Sequence, residues 1–362
     1  MKINYPNYHS VNSIDRILKV YHYQGLFSGS ALVSQGEKVT YKQSFGLAHR
    51  AWHCPNKPKT AFMVGSNTKQ FTAMLVLQLV EKGLVDIHQT VDKYLPYFRK
   101  DIGGKITIHH LLTHTSGLPN YNADPSFRID DRLISFTIEK MIIEFTRGEL
   151  EFEPGSQFKY CNTGYYILGD IIEKITGKNY SEVLNENIVG PLRLENTGFF
   201  QGNDSPLGLA TGYVFDQEGL LVEQAVNPRY GYSAGNIYSS VEDLHRWDRA
   251  LYSEELLSSK YLSMMFTPYL NNYAFGWVST AVRWDQLKEF LEDPLHYQYS
   301  PDRDERSTSA HLIVHRGMTH GYESLIIRIV DRQQLVVLLS NTIGRVYLEE
   351  IALRIISIMY DL

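Results

Sequence analysis

The sequence predicts a mixed α/β (α+β) protein in which sheet-forming segments near both ends bracket a mainly helical middle, and three observations carry this. Residues 26–34 and 39–45 carry β-branched and aromatic side chains on either side of Gln35-Gly36-Glu37-Lys38, a hairpin signal. Helical patterning dominates from about 106 to 192, including Ile167, Leu168, Ile171, Ile172 and Ile175 ended by Gly177. Strand character then returns at 311–315, 324–330 and 335–340.

The remaining elements follow the same logic. Ser13 opens an amphipathic helix carrying Ile14, Ile17, Leu18 and Tyr21 on one face and closed by Gly25. The dense apolar residues of 71–80, with Gly83 beyond them, predict a mostly buried helix. A last helix presents Leu348, Ile351, Ala352, Ile355 and Met359. No repeat, low-complexity tract or Gly/Ser linker interrupts the chain, so 1–362 is expected to be a single domain. Its approximate lobes are 1–85 with 225–362, containing the sheet, and 86–224, mainly helical.

Composition narrows the function classes. The 362 residues include 40 acidic and 35 basic side chains, a net charge of −5, with no Lys/Arg run fit to track a phosphate backbone. Nucleic acid is not an expected partner. No apolar stretch approaches the ~20 residues that span a bilayer, and Met1-Lys2-Ile3-Asn4 turns polar at once. The expectation is no membrane span and no signal peptide, hence a cytoplasmic protein or an exported one lacking its signal. Two cysteines, Cys54 and Cys161, are too few for a disulfide scaffold or a four-thiolate metal site.

The chemistry concentrates in three places. Gly65-Ser66-Asn67-Thr68-Lys69 sits where a loop enters the buried helix, so helical rise places Ser66 and Lys69 one turn apart on one face. A serine needs a neighbour to take its proton, and a desolvated lysine can be neutral enough to do so. The helix N-terminus adds backbone N–H groups that favour a developing oxyanion. The motif recurs in Ser156-Gln157-Phe158-Lys159, read as a loop running into a strand. Tyr160-Cys161-Asn162 precedes a helix beginning near Thr163, offering a phenol to relay protons and an amide to hold a substrate carbonyl or the Lys69 ammonium. Tyr5-Pro6-Asn7 repeats that pattern by chance. His315-Arg316-Gly317 is read as ending a strand, where glycine lets backbone approach a ligand. The order of the three elements, 94 and 155 positions apart, is much rarer than any one of them.

This ordered set resembles the serine β-lactamases and penicillin-binding proteins, in the branch of class C β-lactamases, DD-peptidases and related esterases. The likeness extends through Ile106-Thr107-Ile108-His109-His110-Leu111-Leu112-Thr113-His114-Thr115-Ser116-Gly117-Leu118-Pro119, through Glu153-Pro154-Gly155 into Tyr160-Cys161-Asn162-Thr163-Gly164-Tyr165, and through Ser233-Ala234-Gly235-Asn236-Ile237-Tyr238-Ser239-Ser240 followed by Glu242-Asp243-Leu244. The resemblance implies a β-lactamase/transpeptidase-like catalytic domain, with an antiparallel sheet flanked by helices, an all-helical lobe and a cleft between. It implies Ser66 as the acylated nucleophile, Lys69 and Tyr160 as a proton-handling pair, and Asn162 as a substrate-positioning amide. It implies further that His315 and Gly317 line the opposite wall and that the backbone N–H groups of Ser66 and Met318 form the oxyanion hole. No cofactor or metal is implied; the expected partner is a small-molecule or peptide substrate. Oligomeric state is left open.

The departures from that family also inform. His315 replaces the lysine of K-T-G, removing a permanent cation that holds a substrate carboxylate in those relatives; Arg316 restores it only if its side chain turns inward. Class A enzymes add S-D-N and a deacylating glutamate, whereas here Y-x-N stands for the former and no counterpart of the latter is identified. Gly231-Tyr232-Ser233-Ala234-Gly235 fits a nucleophile elbow but lacks the preceding strand. His109, His110 and His114 lack the pairing of a zinc helix and read as core or loop histidines. The stretch 276–311, with Trp284, Phe290, Leu291, Tyr297, Tyr299 and Asp302-Arg303-Asp304-Glu305-Arg306, reads as a solvated loop overhanging the cleft and influencing substrate choice. The expected function is a serine hydrolase acting through an acyl-enzyme on an ester or amide, of esterase, D-Ala-D-Ala carboxypeptidase or weak β-lactamase type. The alternatives are an acyltransferase using the same acyl-enzyme and a non-turnover penicillin-binding sensor.

Overall fold

The computed structural model describes residues 8–123, 136–202, 208–219, 221–299, 309–344 and 347–362, with Tyr8 and His9 described in backbone only. In chain order the elements that matter are helix α1 (Tyr8–Tyr23), strands β1 (Gly29–Gln35) and β2 (Lys38–Phe45), and helices α2 (Thr68–Glu81), α3 (Asn162–Thr176), α4 (Pro228–Gly235) and α5 (Val241–Ala250). Strand β3 (Val278–Arg283), helix α6 (Leu287–Glu292), strands β4 (Ser309–Thr319), β5 (Tyr322–Ile329) and β6 (Gln334–Ser340), and helix α7 (Leu348–Tyr360) follow.

The six strands form one sheet in the order β3-β4-β5-β6-β1-β2. Every pairing is antiparallel, and β1 lies against β6 with Gly29 opposite Ser340. The two ends of the chain thus build one sheet around the segments between them. Strands β5 and β6 are buried at every position; β6 carries the unbroken apolar run 335–339, while β5 interrupts its apolar residues with the buried Glu323, Ser324 and Arg328. Leu335, Val337 and Leu339 face one core with α2, α3 and α5, while Val336 and Leu338 face the other with α1, α6 and α7.

Several boundaries depart from the sequence expectation. Helix α1 begins before Ser13, because Val11 already packs on the core that receives Ile14 and Leu18. Strand β4 does not end at His315 but runs to Thr319, pairing Arg316, Gly317 and Met318 with Leu325, Ser324 and Glu323. The stretch 276–311 is not a solvated loop: it supplies β3 and α6, and Trp284, Phe290, Leu291 and Tyr297 are buried. Its charged part, 302–306, lies outside the described residues, as does Tyr5-Pro6-Asn7. Ser156 to Lys159 enters no strand.

Candidate active site

Ser66 occupies a three-residue 3₁₀ turn, Gly65–Asn67, that leads directly into α2. The turn is fastened to the sheet on one side and to the α4–α5 connection on the other. Ser324 on β5 donates to the Val64 carbonyl at 2.7 Å, and Asn67 donates through Nδ2 to the Ser324 hydroxyl at 2.7 Å. Across the turn, the Ile237 N–H donates to Thr68 Oγ1 at 3.0 Å. Gly65 takes φ +52, and a side chain there would meet the Met318 nitrogen at 2.7 Å.

Lys69 lies on the first turn of α2 and is fully buried. Its Nζ is 3.0 Å from Ser66 Oγ, 2.7 Å from Asn162 Oδ1 and 2.9 Å from the Ala234 carbonyl. Burial lowers its pKa to about 7, because desolvation penalises the ammonium. When the amine is neutral, its two hydrogens suit the two carbonyl oxygens, which can only accept, and its lone pair is left for the Ser66 hydroxyl.

Asn162 is the first residue of α3, and its amide oxygen faces Lys69. Of the two roles open to it from sequence, its oxygen fills the one toward lysine. Tyr160 stands just ahead of α3, and Lys69 Nζ lies 5.0 Å from its ring centre. The Tyr160 hydroxyl is buried close to Ser66 without being aligned for a hydrogen bond. Burial raises this phenol above its ordinary value, partly offset by Ser66, so it stays protonated at neutral pH.

His315 and Gly317 follow from where β3 stops. Strand β3 pairs with β4 only as far as Val314, which leaves the next residues of β4 with an edge free to meet the Ser66 turn. Gly317 is required there: a Cβ would lie 1.9 Å from the Val64 carbonyl and 3.0 Å from the Ser66 nitrogen. The backbone around residues 65 and 66 therefore lies close against that of 317 and 318. His315 is buried, its Nδ1 2.8 Å from the Arg316 carbonyl and its Nε2 3.1 Å from the Tyr273 hydroxyl. A carbonyl only accepts, so Nδ1 carries the proton and Tyr273 donates to Nε2. Burial, with Lys69 nearby, lowers the imidazole to about 3, so it is neutral.

A cavity of about 390 Å³ opens over these groups, lined by Ser66, Tyr160, Tyr273, His315, Arg316 and Met318 among others. Leu291 to Leu295 form one wall, so the stretch after β3 does border the site. Arg316 reaches this cavity but is held between Glu323, at 3.0 Å, and Glu349, at 3.3 Å.

Sequence reasoning missed two participants, Ala234 and Tyr273, and read His114 as a core or loop histidine without its contact to Tyr160. The Ala234 carbonyl comes from α4, where Tyr232 at φ 38 kinks the helix. That segment is no nucleophile elbow: Ser233 is buried and donates to the Tyr165 carbonyl at 2.9 Å. Tyr273 is fully buried and fixes His315; its loop ends at Gly276, where a Cβ would lie 2.7 Å from the Lys69 carbonyl. His114, at φ 57, accepts from the Cys161 N–H at 3.1 Å and packs its ring 4.2 Å from Tyr160. It is a core histidine that supports the Tyr160 ring.

A family model described as Beta-lactamase matches residues 14–357. The chain is 31% identical to penicillin-binding protein 4* of Bacillus subtilis (strain 168) over 336 residues, 87% of this chain and 68% of that protein. It spans 64% and 56% of two further curated relatives, so these proteins are longer than the chain. Among solved structures, the octameric penicillin-binding protein homologue from Pyrococcus abyssi superposes with a TM-score of 0.80 at 27% identity, covering 97% of this chain and 77% of that one. A β-lactamase/D-alanine carboxypeptidase from Pseudomonas syringae shares the fold, with a TM-score of 0.78 at 23% identity, 96% of this chain and 99% of that one being covered. The antiparallel sheet built from both chain ends, the helices packed on its two faces and this match over nearly the whole sequence place the chain in the β-lactamase family, with the β-lactamase/transpeptidase-like fold.

Proposed function

We propose that the chain is a serine hydrolase that works through an acyl-enzyme on Ser66, cleaving an ester or amide. The observation that carries this is the set of three contacts around Lys69 Nζ, two to carbonyl oxygens and one to the Ser66 hydroxyl. With its pKa lowered to about 7, Lys69 is uncharged in about half of the molecules at neutral pH.

In this reading the neutral Lys69 takes the proton as Ser66 Oγ attacks the carbonyl carbon. The carbonyl oxygen becomes an oxyanion that accepts from the Ser66 and Met318 N–H groups. As the carbon–oxygen or carbon–nitrogen bond breaks, the leaving group takes a proton from the Lys69 and Tyr160 pair. Burial holds Tyr160 protonated, which favours Lys69 as the base and the phenol as donor and relay. Water then attacks the acyl-enzyme with the same groups acting in reverse, releasing the acid and free Ser66. Asn162 orients the amine, and the Leu291 to Leu295 wall shapes the space for the acyl or leaving group.

A panel of p-nitrophenyl esters, nitrocefin and D-Ala-D-Ala peptides tests the reading, with product analysis in the presence of competing amines and alcohols. Hydrolysis of at least one substrate, lost in Ser66→Ala, is the expected result. Transfer to the added nucleophile in preference to water would make the chain an acyltransferase, and turnover retained by Ser66→Ala would discard the acyl-enzyme.

A further inference from the structure

The groups that could meet a substrate carboxylate in the reactive cavity are all engaged elsewhere. Both nitrogens of His315 are occupied, Nδ1 by the Arg316 carbonyl and Nε2 by the Tyr273 hydroxyl, and the ring is neutral. Lys69 spends its three contacts on Ser66, Asn162 and Ala234. Among the described residues, Arg316 is the one permanent cation lining the cavity. It lies at 3.0 Å from Glu323 and 3.3 Å from Glu349, with its guanidinium 4.5 Å from the Tyr347 ring centre.

The rest of the charged lining is acidic. Glu349, Glu292 and Asp293 border the cavity, and Glu349 Oε2 is buried without a hydrogen-bond partner. Lys288 lies 3.7 Å from Glu292 and His296 lies 2.9 Å from Asp293, but both pairs are largely exposed to water, where such contacts offset little. A carboxylate entering this space meets further carboxyl groups, of which Glu349 has its pKa raised by burial, and finds no free donor of opposite charge.

Resting on the hydrolase reading above, we propose that the cavity selects acyl donors that bear no carboxylate, neutral or cationic esters and amides, and rejects the anionic ones. Arg316, held between Glu323 and Glu349, is then a wall residue and no free carboxylate anchor. Glu349 is the principal group that sets the preference, the solvent-exposed Glu292 adding little, and a cationic substituent on the acyl chain gains from them.

Three p-nitrophenyl esters of equal acyl length, ending in tert-butyl, trimethylammonium or carboxylate, test this on the full chain. The expected kcat/KM for the carboxylate ester is about 10-fold or more below the other two, with the trimethylammonium ester at least equal to its tert-butyl isostere. In Glu292→Gln/Glu349→Gln the carboxylate ester is expected to recover at least about 5-fold relative to the tert-butyl ester. The ratio within one protein sample cancels any loss of folded material. A carboxylate ester turned over as well as or better than the neutral one, or a ratio unmoved in the double variant, overturns the proposal. Labelling of Ser66 by an uncharged fluorophosphonate separates the two failures: labelling with the wrong charge preference sinks only the selectivity. Absence of both labelling and ester turnover sinks the hydrolase reading, and the selectivity with it.

Discussion

Ser66 and Lys69 stand three residues apart across a 3₁₀ turn and the first turn of α2, whereas Ser156 and Lys159 stand three apart on irregular chain. In the first pair the helical rise brings amine and hydroxyl to 3.0 Å, and packing removes the lysine from water. In the second, Ser156 donates to the Glu153 carbonyl at 2.6 Å, and the half-exposed Lys159 is 2.7 Å from Glu151. An identical spacing therefore brings hydroxyl and desolvated amine together only where the backbone is helical and the surroundings are dry. Neither condition is part of the motif.

The sharpest break in that comparison is at the serines. Ser66→Ala is expected to lower kcat by about 10⁴-fold or more, while Ser156→Ala leaves it unchanged; steady-state kinetics on any turned-over ester reads both. The lysines come next. Lys69→Met should cost about 10²- to 10⁴-fold and Lys159→Met nothing. In the native protein kcat/KM should rise with pH through about 7 as Lys69 loses its proton. His315, lowered to about 3, contributes no step between pH 5 and 8. A flat profile across neutral pH would remove Lys69 as the base.

Gly317→Ala tests the other wall. Its Cβ would sit 1.9 Å from the Val64 carbonyl, so the Ser66 turn must shift. The expected loss is about 10²-fold in kcat, with about 1–3 kcal/mol of stability lost to overpacking, read by kinetics and denaturant unfolding. The last effect is on stability alone. A lysine whose folded pKa lies near 7 instead of 10.5 leaves the unfolded chain holding more protons between those values. Stability then rises with pH across that window by about 1.4 kcal/mol per unit. Lys69→Met abolishes this slope, so its stability relative to the native protein is most favourable near pH 6–7 and declines toward pH 10.

Much of this was legible because it is local. The apolar run after Lys69 gave α2, the Gln35 to Lys38 turn gave the β1–β2 hairpin, and β-branched runs gave β5 and β6. Tyr160 and Asn162 were legible only through their order relative to Ser66 and His315, since a lone Tyr-x-Asn also occurs at Tyr5. What the sequence hid depends on long-range packing. The Ala234 carbonyl is a backbone atom that no side-chain motif marks. Tyr273 meets His315 across 42 residues. Strand β4 runs past Gly317 because β5 pairs with it there, which overrides the breaking tendency of glycine. The buried aromatics of 284–297 belonged to a core and were hidden by the charges that follow them in sequence.

The most direct test of the central claim is the pH dependence of labelling by an uncharged fluorophosphonate, with the adduct mapped by mass spectrometry. The account predicts one adduct, on Ser66, forming at a rate that climbs through pH 7 and falling away in Lys69→Met. An adduct on Ser156 or Ser233, or a labelling rate indifferent to both pH and Lys69, would contradict it.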